Sequence, residues 1–135
     1  MTIAIRYYSK FGHSAQMADV VSQVTGAKAE TTAVPIDEPV DVLFLGSGVF
    51  LGKIGSDMVR FIRTLTPDKV GRVICFGSCA LIKSPVTQMS ELLEAQGITT
   101  DVRSFSCRGS MGPIHKGHPD KQDLEDLRQF IESTI

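Results

Sequence analysis

After Tyr8 the chain reads Ser9-Lys10-Phe11-Gly12-His13-Ser14, a glycine set between two hydroxyl residues. Such a run suits an anion. Hydroxyls and the backbone N–H groups between them can ring a phosphate, and a helix opening at this point adds the partial positive charge of its N-terminus. The competing reading of the same residues is an ordinary helix start capped by Ser14. Three later segments have a similar character: Ser47 to Lys53, Gly77 to Ser84 and Ser106 to Gly117, all rich in glycine or serine. Small residues let main-chain N–H groups come close to a ligand.

Other chemistries find less support. The chain has neither the Gly-x-x-x-x-Gly-Lys-Ser/Thr of a nucleotide P-loop nor a Gly-x-Gly-x-x-Gly after its first apolar run. A phosphate-accepting receiver would need acidic residues after that run, which ends instead in Tyr7-Tyr8-Ser9. Cys79 and Cys107 do not begin a Cys-x5-Arg loop, and His13, His115 and His118 lack metal-ligand spacing, so no metal is expected. The charges Asp123, Glu125, Asp126 and Arg128 read as the solvated face of a final helix.

The elements that must position these loops alternate along the chain. Ile3 to Tyr8, Asp41 to Leu45 and Arg72 to Phe76 are short and apolar, as strands buried on both faces should be. Ala29 to Val34 and Ile98 to Phe105 complete five strands, the former ended by Pro35 and the acidic turn Asp37-Glu38-Pro39. Apolar residues at helical spacing predict helices from Ala15 to Gly26, from Ile54 to Leu65, from Pro85 to Gln96 and from Asp120 to Ser133, the last started by Asp120 as cap. Strands alternating with helices predict an α/β fold, a doubly wound five-stranded parallel sheet with helices on both faces. In such a sheet ligands bind beyond the carboxyl ends of the strands, where strand order reverses. All four small-residue segments follow strands and so fall at that end.

Composition sets the outer limits. A chain of 135 residues, 42% hydrophobic and 21% charged, is expected to form one domain spanning 1–135 without disulfide or metal staples. A formal net charge of -1 argues against a nucleic-acid partner. No apolar run approaches the ~20 residues needed to span a bilayer. Three cysteines in no paired pattern, and a first segment unlike a secretory leader, place the expected protein in the cytoplasm with reduced thiols.

Three segments together carry a family resemblance. Tyr7-Tyr8-Ser9-x-x-Gly12-His13-Ser14-x-x-x-Ala18 resembles the phosphate loop of flavodoxins, with His13 and Ser14 where that family often has Asn and Thr. Val42 to Ile54, containing Gly46-Ser47-Gly48-Val49-Phe50-Leu51-Gly52-Lys53, is similar to the family's segment beside the flavin ring. Phe105-Ser106-Cys107-Arg108-Gly109 followed by Lys116-Gly117-His118-Pro119 is similar to the tail of some bacterial single-domain flavodoxins.

The resemblance implies the flavodoxin-like strand order 2-1-3-4-5 and flavin mononucleotide (FMN) as cofactor. It implies that Ser9, Lys10, Phe11, Gly12, His13 and Ser14 hold the phosphate. Ser47, Gly48, Val49, Phe50, Leu51 and Gly52, with Ser78, Cys79 and Ala80, would border the ring, with Gly48 or Gly52 the peptide that responds to redox state. The function implied is electron transfer between partner proteins, a reductase and an acceptor, by a monomer or weak dimer. The chain has no Trp, and its two Tyr lie in the first strand, so the double aromatic sandwich common in flavodoxins is not assembled in its usual form. A ring packed by Phe50, or by Leu51 and Leu81, leaves room for a second molecule. That keeps open an FMN-dependent reductase of a quinone or porphyrinogen-like substrate, and a flavodoxin-like module that binds no flavin.

Overall fold

The computed structural model describes residues 1–9, 12–49, 54–79, 85–108 and 119–135. Its strands are β1 (Ile3–Tyr8), β2 (Ala29–Thr31), β3 (Val40–Val49), β4 (Val70–Cys79) and β5 (Phe105–Arg108). Its helices are α1 (His13–Thr25), α2 (Ser56–Arg63), α3 (Pro85–Ala95) and α4 (Lys121–Thr134). All pairings are parallel, in the order β2-β1-β3-β4-β5, as expected. Order reverses at β1, whose neighbours are β2 on one side and β3 on the other.

Side-chain alternation along each strand splits the core into two layers. Ile5, Val42, Phe44, Ile74 and Phe76 pack with Met17, Val21, Leu127 and Ile131 of α1 and α4. Leu43, Leu45, Val73 and Cys75 pack on the opposite face with Met58, Phe61, Met89 and Leu93 of α2 and α3. Cys75 is therefore core, as its surroundings in the sequence predict, and burial pushes its thiol up to about 12.

Helix ends follow local chemistry. At α4, Asp120 accepts the Asp123 N–H at 2.9 Å and Asp123 returns the bond to the Asp120 N–H at 2.9 Å, a complete capping box. At α1 the cap is Gly12, with φ 87, so Ser14 is not the N-cap and lies inside the first turn. Two glutamines, Gln88 in α3 and Gln96 just after it, tie down the α2 segment at both ends. The Ile54 N–H donates to Gln88 Oε1 at 3.0 Å, and Gln96 Nε2 donates to the carbonyls of Arg63 and Leu65.

Strand limits depart from the sequence reading in four strands. β3 and β4 run on through Gly46-Ser47-Gly48-Val49 and Gly77-Ser78-Cys79, because the two strands stay paired as far as Val49↔Cys79. The small-residue segments begin inside the sheet. The second strand ends at Thr31 and not at Val34. Residues 32–34 turn away, with the Val34 N–H donating to the Thr31 carbonyl at 3.1 Å.

The fifth strand is not continuous from Ile98. Thr100 makes a single bridge to Val73, and pairing resumes only at Phe105. Between them Asp101 binds Arg72 and both the backbone and guanidinium of Arg103, which folds 101–104 out of the sheet and leaves Val102 98% exposed. These contacts, the Arg103 side-chain bond first, hold the Asp101 carboxyl well below the usual carboxylate range.

One face of the sheet is incompletely roofed. The β2–β3 connection, residues 32–39, forms no helix, whereas parallel crossovers usually carry one. On the α2 face this loop covers β2 and part of β1, whose Tyr8 end meets the start of α2. Ile36 drops into the core beside Leu43 and Leu45. Arg6, 8% exposed on β1, donates through Nε to the Val34 carbonyl at 2.8 Å and through Nη2 to the Pro35 carbonyl at 3.1 Å. Glu30 balances its charge at 3.3 Å. The buried guanidinium supplies the donors that an absent helix would have supplied to its own carbonyls.

Candidate functional site

The carboxyl ends of β1, β3 and β4 bring three separate sequence segments to one point. A Cβ built on Gly48 would lie 3.7 Å from both the carbonyl and the hydroxyl oxygen of Ser78, and 3.9 Å from Ser14 Oγ. The register explains the meeting: Gly48 pairs with Ser78, and Tyr8, just before the α1 approach, pairs with Ser47. Ser14, Ser47 and Ser78 are all buried, at 2%, 0% and 3% exposure. The Ser14 and Ser78 hydroxyls thus border a position without a side chain at the switch point of the sheet, where such folds bind ligands, while the Ser47 hydroxyl donates to the Gly48 carbonyl at 3.0 Å.

The start of α1 faces the same end of the sheet. The Gln16 N–H reaches back to the Gly12 carbonyl at 3.1 Å, so the first intrahelical bond begins at Gln16 and the preceding N–H groups have no intrahelical carbonyl to bind. Gly12 has no side chain with which to cap them, and the first turn contains no acidic residue. Its left-handed φ of 87 is what only glycine adopts at little cost. The Gly12 N–H donates to Ser9 Oγ at 2.9 Å, closing the loop and leaving the Ser9 hydroxyl proton to donate elsewhere. The contrast with α4, whose end is closed by its own carboxylates, is electrostatic: no carboxylate stands in the first turn of α1 to offset the partial positive charge of its N-terminus.

The residues singled out in the sequence divide as follows. Ser9, Gly12, His13 and Ser14 stand at the end of β1 and the start of α1, and Ser47, Gly48 and Ser78 on the adjoining ends of β3 and β4. Val49 and Cys79 extend those two strands and pair with one another through the backbone. Lys10, Phe11, Phe50, Leu51, Gly52 and Ala80 lie outside the described residues, as do Leu81, His115 and His118. The two tyrosines are half-buried against the sheet: Tyr7 packs with the α1 layer and Tyr8 with the α2 layer, where its ring lies 3.0 Å from a Cβ built on Gly55.

Gln88 escaped the sequence reading. It anchors Ile54, the first described residue after the 50–53 segment, and in the sequence it is one of several polar residues of an amphipathic helix, with nothing to set it apart. A cleft of about 870 Å³ was equally unforeseen. It opens between α2 and the loop after β2, with Thr31, Pro35, Arg60 and Phe61 among its walls, and reaches Ser9 and Gly12. Arg60 at its rim is ion-paired with Asp57. Among the described residues no group of three or more His, Cys, Asp or Glu could hold a metal ion, and no helix is long and apolar enough to cross a membrane.

No protein-family model and no curated protein matches the sequence. Solved structures do match the fold. A flavodoxin from the domain Archaea superposes with a TM-score of 0.80 at 16% identity, over 98% of this chain and 95% of its own. Flavodoxin 2 from Bacillus cereus gives 0.75 at 18% identity, over 98% and 97%. A flavoprotein from Lactobacillus acidophilus, solved in complex with FMN, gives 0.63 at 17% identity, over 79% and 92%. With five parallel strands in the order 2-1-3-4-5 and helices on both faces, the chain has the flavodoxin-like fold.

Proposed function

We propose that this chain binds FMN by its phosphate at the start of α1 and serves as an electron-transfer protein in the cytoplasm, between a reductase and an acceptor. The observation that carries the reading is the convergence of Ser14, Gly48 and Ser78 beside an α1 N-terminus that has neither a capping side chain nor an acidic first turn. A phosphate ester fits this donor set. Backbone N–H groups and hydroxyls donate to its oxygens, and the helix end balances part of its charge. Ser9 to Ser14 hold the phosphate. Ser47 to Gly52 and Ser78 to Ala80 border the ring, and the Gln88 bond to Ile54 steadies the end of the 50–53 segment. When bound, FMN supplies one- and two-electron redox chemistry; the chain supplies placement and polarity.

The test is a titration of purified protein with FMN, followed by anaerobic reduction in the spectrophotometer. Saturable binding and reduction in two separate one-electron steps are the expected results. A protein that leaves FMN free at high concentration refutes the reading. A second reading, an FMN-dependent reductase of a quinone or porphyrinogen-like substrate, draws on the two tyrosines: both are used in sheet packing, which leaves a ring face open to a substrate. Reduction in a single two-electron step, with NAD(P)H-dependent turnover of a quinone, selects that reading.

A further inference from the structure

Apart from Ser9 and Gly12, the cleft beside α2 has no part in the reading above. It exists because the β2–β3 connection lacks a helix, and its volume of about 870 Å³ lies within the range of small-molecule sites. Ser9 and Gly12 of the anion cradle, with Ala15 beside them, are among its lining residues. The segments assigned to the flavin ring follow β3 and β4, on one side of β1, while the cleft lies toward β2, on the other. A group attached to the phosphate and leading away from the ring therefore enters the cleft. We propose that the cleft takes the adenosine half of a flavin dinucleotide, so that the chain accepts FAD as well as FMN. The proposal rests on the flavin reading.

The walls suit a flat aromatic base on a hydroxylated sugar. Half-buried Tyr8 provides aromatic surface on the cleft wall. Thr31 Oγ1 accepts the Ala33 N–H at 3.3 Å and keeps its proton to donate, while the Thr64 hydroxyl donates to the Phe61 carbonyl at 2.6 Å and keeps lone pairs to accept. Arg60, its side chain 72% exposed, stands at the rim, where the second phosphate adds negative charge, and its pairing with Asp57 leaves the guanidinium donors to share. Binding makes and breaks no covalent bond.

The experiment titrates purified protein, freed of bound flavin, with FMN and with FAD. Flavin fluorescence gives the affinities, and mass spectrometry verifies that bound FAD is intact. Both flavins are expected to bind, with dissociation constants within about tenfold of each other. Ala33→Trp, at an exposed position on the cleft wall, should weaken FAD by about tenfold or more and leave FMN within about twofold. Thr64→Phe, narrowing the cleft from α2, should give the same split. FAD binding more than about 100-fold weaker than FMN overturns the proposal and leaves the FMN reading standing. So does FAD affinity unchanged in both variants, or an equal loss of both flavins. If neither flavin binds, the proposal and the reading beneath it both fall.

Discussion

Gly46 and Gly48 stand two residues apart on β3, and replacing each by alanine should have opposite consequences. A Cβ built on Gly46 overlaps the ring carbons of Phe76, a fully buried residue of the α1 layer. Overpacking of this kind costs about 1–3 kcal/mol, so Gly46→Ala should lower stability by that amount or more. At Gly48 the nearest atoms to a new Cβ are the Ser78 and Ser14 oxygens at 3.7–3.9 Å, an ordinary contact distance, and its backbone is not left-handed. Gly48→Ala should therefore fold as well as the parent, or gain about 0.4–1 kcal/mol from a less free unfolded chain. The methyl group nevertheless stands at the point assigned to the flavin. Forcing one methyl into a filled site costs roughly 1–3 kcal/mol, a loss of about 5- to 150-fold in FMN affinity. Urea unfolding gives the first quantity and flavin fluorescence titration the second. A Gly48→Ala protein with parental stability and parental FMN affinity would show that no ligand uses the point where Ser14, Gly48 and Ser78 meet.

Four further outcomes are expected. Ser14→Asp sets a like charge against the phosphate and should abolish FMN binding; a folded variant, checked by circular dichroism, with unchanged affinity refutes the cradle. Arg6→Met leaves the Val34 and Pro35 carbonyls without their donor and should cost about 2–3 kcal/mol, a melting point lower by roughly 10 °C; a shift under about 2 °C would mean that the guanidinium does not hold the loop. Asp101→Asn strips Arg72 and Arg103 of their shared carboxylate and should destabilise by about 1–2 kcal/mol at neutral pH. Since the folded carboxyl titrates below its unfolded value near 3.9, that stabilisation is present above pH ~4 and is lost as pH falls through the folded value, so parent and variant should converge only well below pH 4; a constant gap down to pH 2 contradicts the assignment. The Cys75 thiol, pushed up to about 12 by burial, should resist thiol reagents at pH 8 in the folded protein and react at the ordinary rate once urea unfolds it.

Much of the fold was legible because it depends on pattern. The apolar runs at Ile3, Asp41 and Arg72 read as strands since both their faces are buried, and hydrophobic spacing found all four helices. The Asp120 cap was legible because a capping box is chemistry between near neighbours in sequence. Errors fell where a distant partner decides. Strand pairing carried β3 to Val49 and β4 to Cys79 through residues whose own preference is for turns. Ion pairing at Asp101, with Arg72 reaching from β4, broke the fifth strand that local propensity made continuous.

For the site the division is similar. Glycine and serine at Ser9 to Ser14, Ser47 to Gly48 and Ser78, each following a strand, determined that the carboxyl end of the sheet would be the polar, small-residue end, because the type and order of residues suffice for that. Which of these residues meet was decided by register, which puts Gly48 opposite Ser78 and brings Ser14 within reach of both. The capping role passed from Ser14 to Gly12 through a single left-handed backbone angle that residue type permits but does not compel. The Gln88 anchor and the cleft beside α2 depend on what packs across the sheet. Contacts between residues far apart in the chain, such as the 34-residue separation of Ile54 from Gln88, leave no periodic trace in the sequence, and only the tertiary structure decides them.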